Sequence, residues 1–114
     1  MLIGNIDMND LVRLLSALSD PTRLGALRLL WDGEEHCVCK LMEALNATQS
    51  RMSRHMGVLK AAGLVIDRRD AQWVRYRLNP ALHPKLKAVA AAVVAAMPAH
   101  QPVVRTASLC EEST

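Results

Sequence analysis

Apolar residues recur at helical spacing in the first third of the chain. They form two stripes, the first after Asp10 and the second after Pro21: Leu11, Leu14, Leu15 and Leu18, then Leu24, Leu27 and Trp31. A spacing of three or four residues places each stripe on one face of a helix. Asp20 can cap the second helix, and Pro21 suits its first position because the missing amide hydrogen is not needed there. The pattern predicts two amphipathic helices, the second ending at Gly33.

Two further helices are predicted in the middle of the chain. A short one begins near Cys37 or Cys39 and stops at Asn46-Ala47. The next runs from Gln49 to Ala62, with Thr48 as its cap and Gly63 closing it. At 100° per residue this helix has an apolar face of Met52, Met56 and Leu59, and a polar arc of Gln49, Ser50, Ser53, Arg54, Gly57 and Lys60.

The remaining pattern predicts a β-hairpin and a last helix. Leu64 to Arg69 and Trp73 to Leu78 have the composition of paired strands around Asp70-Ala71-Gln72. From Pro80 a final apolar stripe lies in an Ala-rich helix that ends at Pro98: Leu82, Leu86, Val89, Val93 and Met97. Because this helix is apolar nearly all round, it must be buried, and we expect a second copy of the chain to cover it.

Size and charge point to one DNA-binding domain. With 114 residues, 51% of them hydrophobic, one domain is expected over residues 1–98, followed by a short polar tail at 99–114 that we expect to be flexible. Seven of the fourteen Lys and Arg residues fall between Arg51 and Arg77, where only two Asp oppose them. Such clustering is typical of a face that binds phosphate, although a merely solvated face has the same composition.

The order of elements predicts a mainly α fold with a β-hairpin wing, a homodimeric winged helix-turn-helix protein. Short hydrogen-bonding side chains on the fourth helix suit base edges in the major groove of double-stranded DNA, and we assign Gln49, Ser50, Ser53 and Arg54 to that task. Cations along the helix end and hairpin suit phosphate contact, namely Lys60, Arg68, Arg69, Arg75 and Arg77. No catalytic constellation is recognisable, so we do not expect an enzyme or a catalytic cofactor.

The three cysteines are expected to be free thiols in the cytoplasm. Their odd number and the lack of a secretory pattern argue against a disulfide framework. The longest apolar run, Ala88 to Met97, is about half of the roughly 20 residues that span a bilayer, so no membrane segment is expected.

Cys37 and Cys39 form a candidate site for a thiophilic ion beside the fourth helix. Residues i and i+2 point about 200° apart on a helix, so either the pair lies in the loop before the third helix or ion binding unwinds its first turn. A helix N-terminus lowers the pKa of a thiol and favours the thiolate. Trivalent arsenic or antimony, zinc and cadmium all suit such ligands. Small buried cysteines and a redox sensor remain alternatives, whereas a thiol oxidoreductase normally requires Cys-x-x-Cys.

From Leu15 to Pro80 the chain resembles the ArsR/SmtB family of metal-responsive repressors. The resemblance lies in four segments: Leu18-Ser19-Asp20-Pro21-Thr22-Arg23-Leu24, Cys37-Val38-Cys39-Lys40-Leu41, Gln49-Ser50-Arg51-Met52-Ser53-Arg54-His55 with Leu59, and Gly63-Leu64-Val65 through Arg75-Tyr76-Arg77-Leu78. It implies a homodimeric repressor of a metalloid-resistance operon, with the first and last helices at the dimer interface. Arsenite or antimonite bound to the cysteines would release the DNA.

The chain departs from that family's pattern at several positions. Met42 stands where the arsenic-sensing branch carries a third cysteine, so Cys110 from the tail or the partner would have to complete a three-sulfur site. Alternatively, two thiolates suffice for a monomethylated trivalent arsenical; we rank inorganic arsenite or antimonite first. A zinc site on the last helix is not expected, because only His83 and His100 flank it. Ala71 stands where relatives often carry Gly, so a positive φ there would be strained.

Overall fold

The computed structural model describes residues 5–98 of the chain. Five helices and three strands follow one another in this part: α1 (Met8–Ala17), α2 (Pro21–Leu30), β1 (His36–Cys37), α3 (Val38–Leu45), α4 (Gln49–Ala61), β2 (Val65–Asp70), β3 (Trp73–Leu78) and α5 (Pro84–Ala96). The predicted order of helices and hairpin is confirmed, and β1 is an addition to it. The tail at 99–114, including Cys110, lies outside the described residues.

The starts of α2 and α4 follow the predicted capping residues. Asp20 accepts a hydrogen bond from the backbone N–H of Arg23 at 3.0 Å, with Pro21 at the first helical position. Thr48 Oγ1 accepts one from the backbone N–H of Arg51 at 3.3 Å and so starts α4. Each side chain thereby satisfies one of the amide donors that a helix start leaves without a partner.

Left-handed residues lie just past the ends of α2, α3 and α4. Gly33 and Gly63 both have φ of +81°, and Asn46 has φ of 54° at the end of α3. Glycine and asparagine adopt this region at low cost, which explains why the sequence marked these ends correctly. The short turn that begins at Asn46 allows α4 to pack against α3, and the two helices form the helix-turn-helix.

One apolar core joins the helices to the base of the hairpin. The largest fully buried side chains come from α1 through the start of β2: Leu14, Leu27, Leu30, Val38, Leu41, Met52, Met56, Leu59, Leu64 and Val65. The predicted apolar face of α4 is therefore confirmed. Its burial fixes the rotation of the helix, and the opposite polar arc faces outward.

The three strands form an antiparallel sheet in the order β1-β3-β2. Asp70 pairs with Trp73, so Ala71 and Gln72 form a two-residue loop at the tip of the wing. Tyr76 is buried on the side that faces the core. Cys37 on β1 pairs with Arg75 on β3, and this contact links the thiol segment directly to the hairpin.

Two expectations need correction. The sequence predicted only a hairpin, whereas His36 and Cys37 add a third strand, because β3 offers them its free edge. The last helix was expected from Pro80, but it begins at Pro84 with His83 as its cap, and Leu82 lies in the preceding turn. Among residues 5–98, no helix has the length and hydropathy needed to cross a bilayer.

The wing tip carries the strain expected of Ala71, whose φ is 58°. An alanine in the left-handed region costs about 1–2 kcal/mol, while a glycine there loses about 0.4–1 kcal/mol through the entropy of the unfolded chain. Ala71→Gly is therefore expected to stabilise the protein by up to about 1 kcal/mol, measured by urea unfolding. Ala81→Gly, at an exposed turn residue without positive φ, is the matched control and should be neutral or destabilising. Equal effects of the two substitutions would contradict the assignment of strain.

Candidate thiol site and nucleic-acid interface

Cys37 and Cys39 lie together where β1 passes into α3. Cys37 is the cap of α3, with φ of −67° and ψ of 145°, and therefore stands outside the helix. Its Sγ turns back over the first helical turn and accepts a hydrogen bond from the backbone N–H of Cys39 at 3.3 Å. The sequence left open either a pair in the loop before α3 or an unwound first turn; the structure places Cys37 before the helix and Cys39 within its first turn. The two thiols approach each other without unwinding α3.

The pair is electrostatically unequal. Burial acts to raise the pKa of the Cys37 thiol, but hydrogen bonds from the Cys39 side chain and amide, together with the charge of Arg75, outweigh it and lower that pKa. The pKa of Cys39 is raised by its side-chain hydrogen bond to Cys37, by desolvation and by the charge of Cys37. Cys37 is thus the preferred thiolate, and the exposed Cys39 is the thiol that donates to it.

Other candidate ligands have different roles in this conformation. Met42 is half-buried and packs against the core. His36 places its Nε2 at 3.1 Å and 3.2 Å from the two carboxylate oxygens of Asp32. His83 caps α5, with its Nδ1 accepting from the backbone N–H of Lys85 at 3.0 Å. Within residues 5–98, no three His, Cys, Asp or Glu side chains are grouped closely enough to hold a metal ion.

The polar arc of α4 is open to solvent, and α3 packs behind the helix. All four side chains assigned to base edges are exposed: Gln49, Ser50, Ser53 and Arg54. These four residues lie within less than two helical turns, so their polar groups, one guanidinium among them, present donors and acceptors on a single surface. The structure brings these residues together as the sequence predicted.

His55 serves as an internal partner that holds α4 to the start of α2. Its Nδ1 lies 3.1 Å from Arg23 Nη1 and 3.8 Å from an Asp20 carboxylate oxygen. An arginine can only donate, so Nδ1 is the accepting nitrogen and the ring is not protonated there. Burial lowers the pKa of His55, and the charges of nearby arginines add to this, against the opposite effect of Asp20. Arg23 also donates to the carbonyl of Ala17 at 2.7 Å, which fixes the network to α1.

Three of the five predicted phosphate-binding cations form ion pairs within the chain. Lys60 Nζ lies 3.1 Å from Asp67, and Arg75 Nε donates to Asp70 at 2.7 Å. Arg68 donates through Nε and Nη2 to both carboxylate oxygens of Glu35, at 2.9 Å and 2.6 Å. The remaining two, Arg69 and Arg77, are exposed on the hairpin.

Sequence reasoning missed Glu35, the carboxylate that contacts this basic surface from outside the hairpin. Its pKa is lowered by the hydrogen bonds from Arg68, against the opposing effect of burial, and by the charges of Arg68, Arg75 and Arg77. The pair joins residues 33 positions apart in the chain. No local pattern indicates such a contact, because it depends on β1 joining the sheet.

Comparison with known proteins places the chain among transcription regulators. The family model described as bacterial regulatory protein, arsR family, matches residues 20–67. An arsenical resistance operon repressor of Escherichia coli (strain K12) is 45% identical over 69 residues, which are 60% of this chain and 59% of that protein. The chain thus spans a little over half the length of this curated relative.

Solved structures extend the likeness over more of the chain. The transcriptional repressor BigR from Xylella fastidiosa is 30% identical, with a TM-score of 0.64 over 81% of this chain and 90% of that chain. The homodimeric winged helix-turn-helix domain Mb0332 from Mycobacterium bovis, a possible ArsR-family regulator, is 27% identical, with a TM-score of 0.64 over 81% and 86%.

An exposed polar helix, packed on a shorter helix and flanked by a basic hairpin, defines a winged helix-turn-helix protein. The family match and the solved structures agree with that class. The chain belongs to the ArsR family of bacterial regulatory proteins.

Proposed function

We propose that the protein is a cytoplasmic, DNA-binding repressor of a metalloid-resistance operon, which trivalent arsenic or antimony releases by binding to Cys37 and Cys39. The observation that carries the proposal is the hydrogen-bonded thiol pair at the start of α3, the helix that packs against the DNA-reading α4. The named arsenical repressor among its relatives supports the same inducer.

In this proposal α4 reads base edges through Gln49, Ser50, Ser53 and Arg54, and the wing contacts phosphate. The exposed Arg69 and Arg77 meet phosphate directly, whereas Lys60, Arg68 and Arg75 do so from within their ion pairs. An arginine has five N–H donors, and the Glu35 fork uses only two of them on Arg68. The fork is therefore compatible with a phosphate contact.

We infer a homodimer, and two apolar surfaces that one chain leaves open support it. On α1, Met8, Val12 and Leu15 are 72%, 54% and 47% exposed at a spacing of four and three residues. On α5, only Leu86 and Ala90 are buried, although the helix is mostly alanine and valine. The homodimeric relative from Mycobacterium bovis supports pairing through such a domain. Two copies would present two α4 helices to successive major grooves.

Cys37 and Cys39 would supply two of the three ligands of a trivalent arsenic centre. Each thiol that binds arsenite displaces one hydroxide as water, so Cys37 and Cys39 leave one hydroxide or one further ligand on the arsenic. We propose Cys110, of the same chain or its partner, as the third sulfur, since Met42 packs against the core. A methylated arsenical needs only the two thiolates, and zinc or cadmium would need further donors.

The proposal is tested by titrating a protein–DNA complex with arsenite, antimonite and methylarsenite, using a duplex that the protein selects from a random-sequence pool. Fluorescence anisotropy should show release by all three compounds in the wild type. Cys110→Ser is expected to weaken the response to arsenite about tenfold or more while leaving that to methylarsenite unchanged. No release by any of the three would contradict the proposed function, and equal responses in both proteins would remove Cys110 from the site.

A redox-sensing repressor is the second candidate. The specific observation in its favour is the contact of a thiol whose pKa is lowered, Cys37, with the exposed thiol of Cys39. Peroxide without metalloid would then release the DNA, and a thiol reductant would restore binding. Release of the DNA by arsenite under reducing conditions, without any effect of peroxide, would support the metalloid-responsive repressor and contradict the redox sensor.

A further inference from the structure

The strand that carries Cys37, β1, belongs to the same sheet as the two wing strands, β2 and β3. Cys37 pairs with Arg75 on β3, and Arg75 pairs in turn with Arg68 on β2. Directly opposed residues of antiparallel strands project from the same face, so these three side chains form one row across the sheet. The thiol site therefore has a route to the wing that does not pass through α3 and α4.

Glu35 reinforces this route from a position two residues before Cys37. Its carboxylate reaches past the middle strand and holds Arg68 on β2 in a two-point fork of 2.9 Å and 2.6 Å. Two parallel N–H···O bonds fix the orientation of a guanidinium as well as its position. The neighbouring Arg75 is held by Asp70, so the two opposed arginines each have a carboxylate.

Binding of a metalloid must disturb the start of this route. The Cys37 sulfur accepts the amide N–H of Cys39 here, whereas a bound arsenic would set the sulfur position by its own bond angles. Cys37 is also one of only two residues of β1, so a shift at this residue changes the short strand as a whole. Glu35 lies immediately before that strand, so a shift of the strand would displace it.

We propose that Glu35 is a positioning residue, which holds Arg68 and the wing in the DNA-binding geometry and passes the displacement of Cys37 by inducer to the wing. This inference rests on the proposed function. It assigns to the Glu35–Arg68 fork a share of the coupling between inducer and DNA, in addition to any effect through α3 and α4.

The test compares Glu35→Gln with Glu34→Gln. Both remove one negative charge at exposed, adjacent positions, but only Glu35 forms the fork. The quantity is the ratio of DNA affinities without and with saturating arsenite, determined by anisotropy beside arsenite affinity from calorimetry. We expect this ratio to fall about two- to fivefold in Glu35→Gln and to stay at the wild-type value in Glu34→Gln, with arsenite affinity kept in both.

A second measurement follows the wing without DNA. Trp31→Phe leaves Trp73, which is 37% exposed beside the wing tip, as the only tryptophan. Arsenite should change the emission of Trp73 in this variant, and that change should be lost or halved when Glu35→Gln is added.

The outcomes separate this inference from the function beneath it. If arsenite does not release the wild-type protein from DNA, the proposed function is contradicted. A wild type that arsenite releases, with the same ratio in Glu35→Gln and the same Trp73 response, overturns the role of Glu35 alone. A ratio lowered equally by both glutamine variants also overturns it, because charge rather than the fork would then be responsible.

Discussion

Replacing Cys37 with serine is expected to abolish the arsenite response while DNA binding and fold are kept. The loss of one of two chelating sulfurs raises the arsenite concentration for half-release by about a hundredfold or more, because the remaining thiol binds without a neighbour. Serine keeps the hydrogen bond to the amide of Cys39, since a hydroxyl is a preferred helix cap. Anisotropy titration of the DNA complex measures the effect.

Cys37→Ala is the matched control for the structural part of this prediction. It removes the sulfur and the capping group together. The alanine variant should therefore lose the response equally, and its free energy of unfolding should be about 1 kcal/mol lower than that of the serine variant. Cys39→Ser should also lose the response, without involving the cap. A serine variant at position 37 that still responds at wild-type concentrations would show that Cys37 is not a ligand.

Arg54→Ala is expected to reduce the discrimination between operator and unrelated DNA. A guanidinium on the exposed arc of α4 can donate two hydrogen bonds to a guanine edge, and such a contact contributes about 1–3 kcal/mol. The ratio of affinities for a selected duplex and a scrambled one should therefore fall roughly 5- to 150-fold. Competition binding at fixed salt measures this ratio.

Arg69→Ala provides the control, since it removes the same charge from the exposed hairpin. A phosphate contact carries no sequence information, so this variant should weaken binding to both duplexes equally and lower the salt dependence. If Arg54→Ala also weakened both duplexes by the same factor, Arg54 would be a phosphate contact and not a base contact.

Local signals made most of the fold predictable. Asp20, Thr48 and Gly63 mark helix ends through interactions with residues at most five positions away. The apolar face of α4 was equally readable, because Met52 and Met56 repeat with the helical period and both are fully buried. For the same reason, the predicted polar arc of α4 is exposed.

Features that depend on distant residues were not predictable. A strand of two residues, His36 and Cys37, has too little pattern to be recognised and exists only because β3 has a free edge. The ion pairs of Lys60 and Arg68 followed from the folded hairpin, whereas the sequence indicated only a cluster of positive charge. The contact of His55 with Arg23 joins residues 32 positions apart, and no local pattern indicates it.

The triple use of Cys37 has a practical consequence for anyone building a metalloid biosensor on this scaffold. Position 37 is at once a strand residue, a helix cap and a thiol with a lowered pKa, so its chemistry and its backbone cannot be varied separately. Cys39, Lys40 and Glu43 are exposed on α3 and free of the core. Selectivity for a different ion is therefore best engineered on that outer face, with position 37 kept as the fixed point.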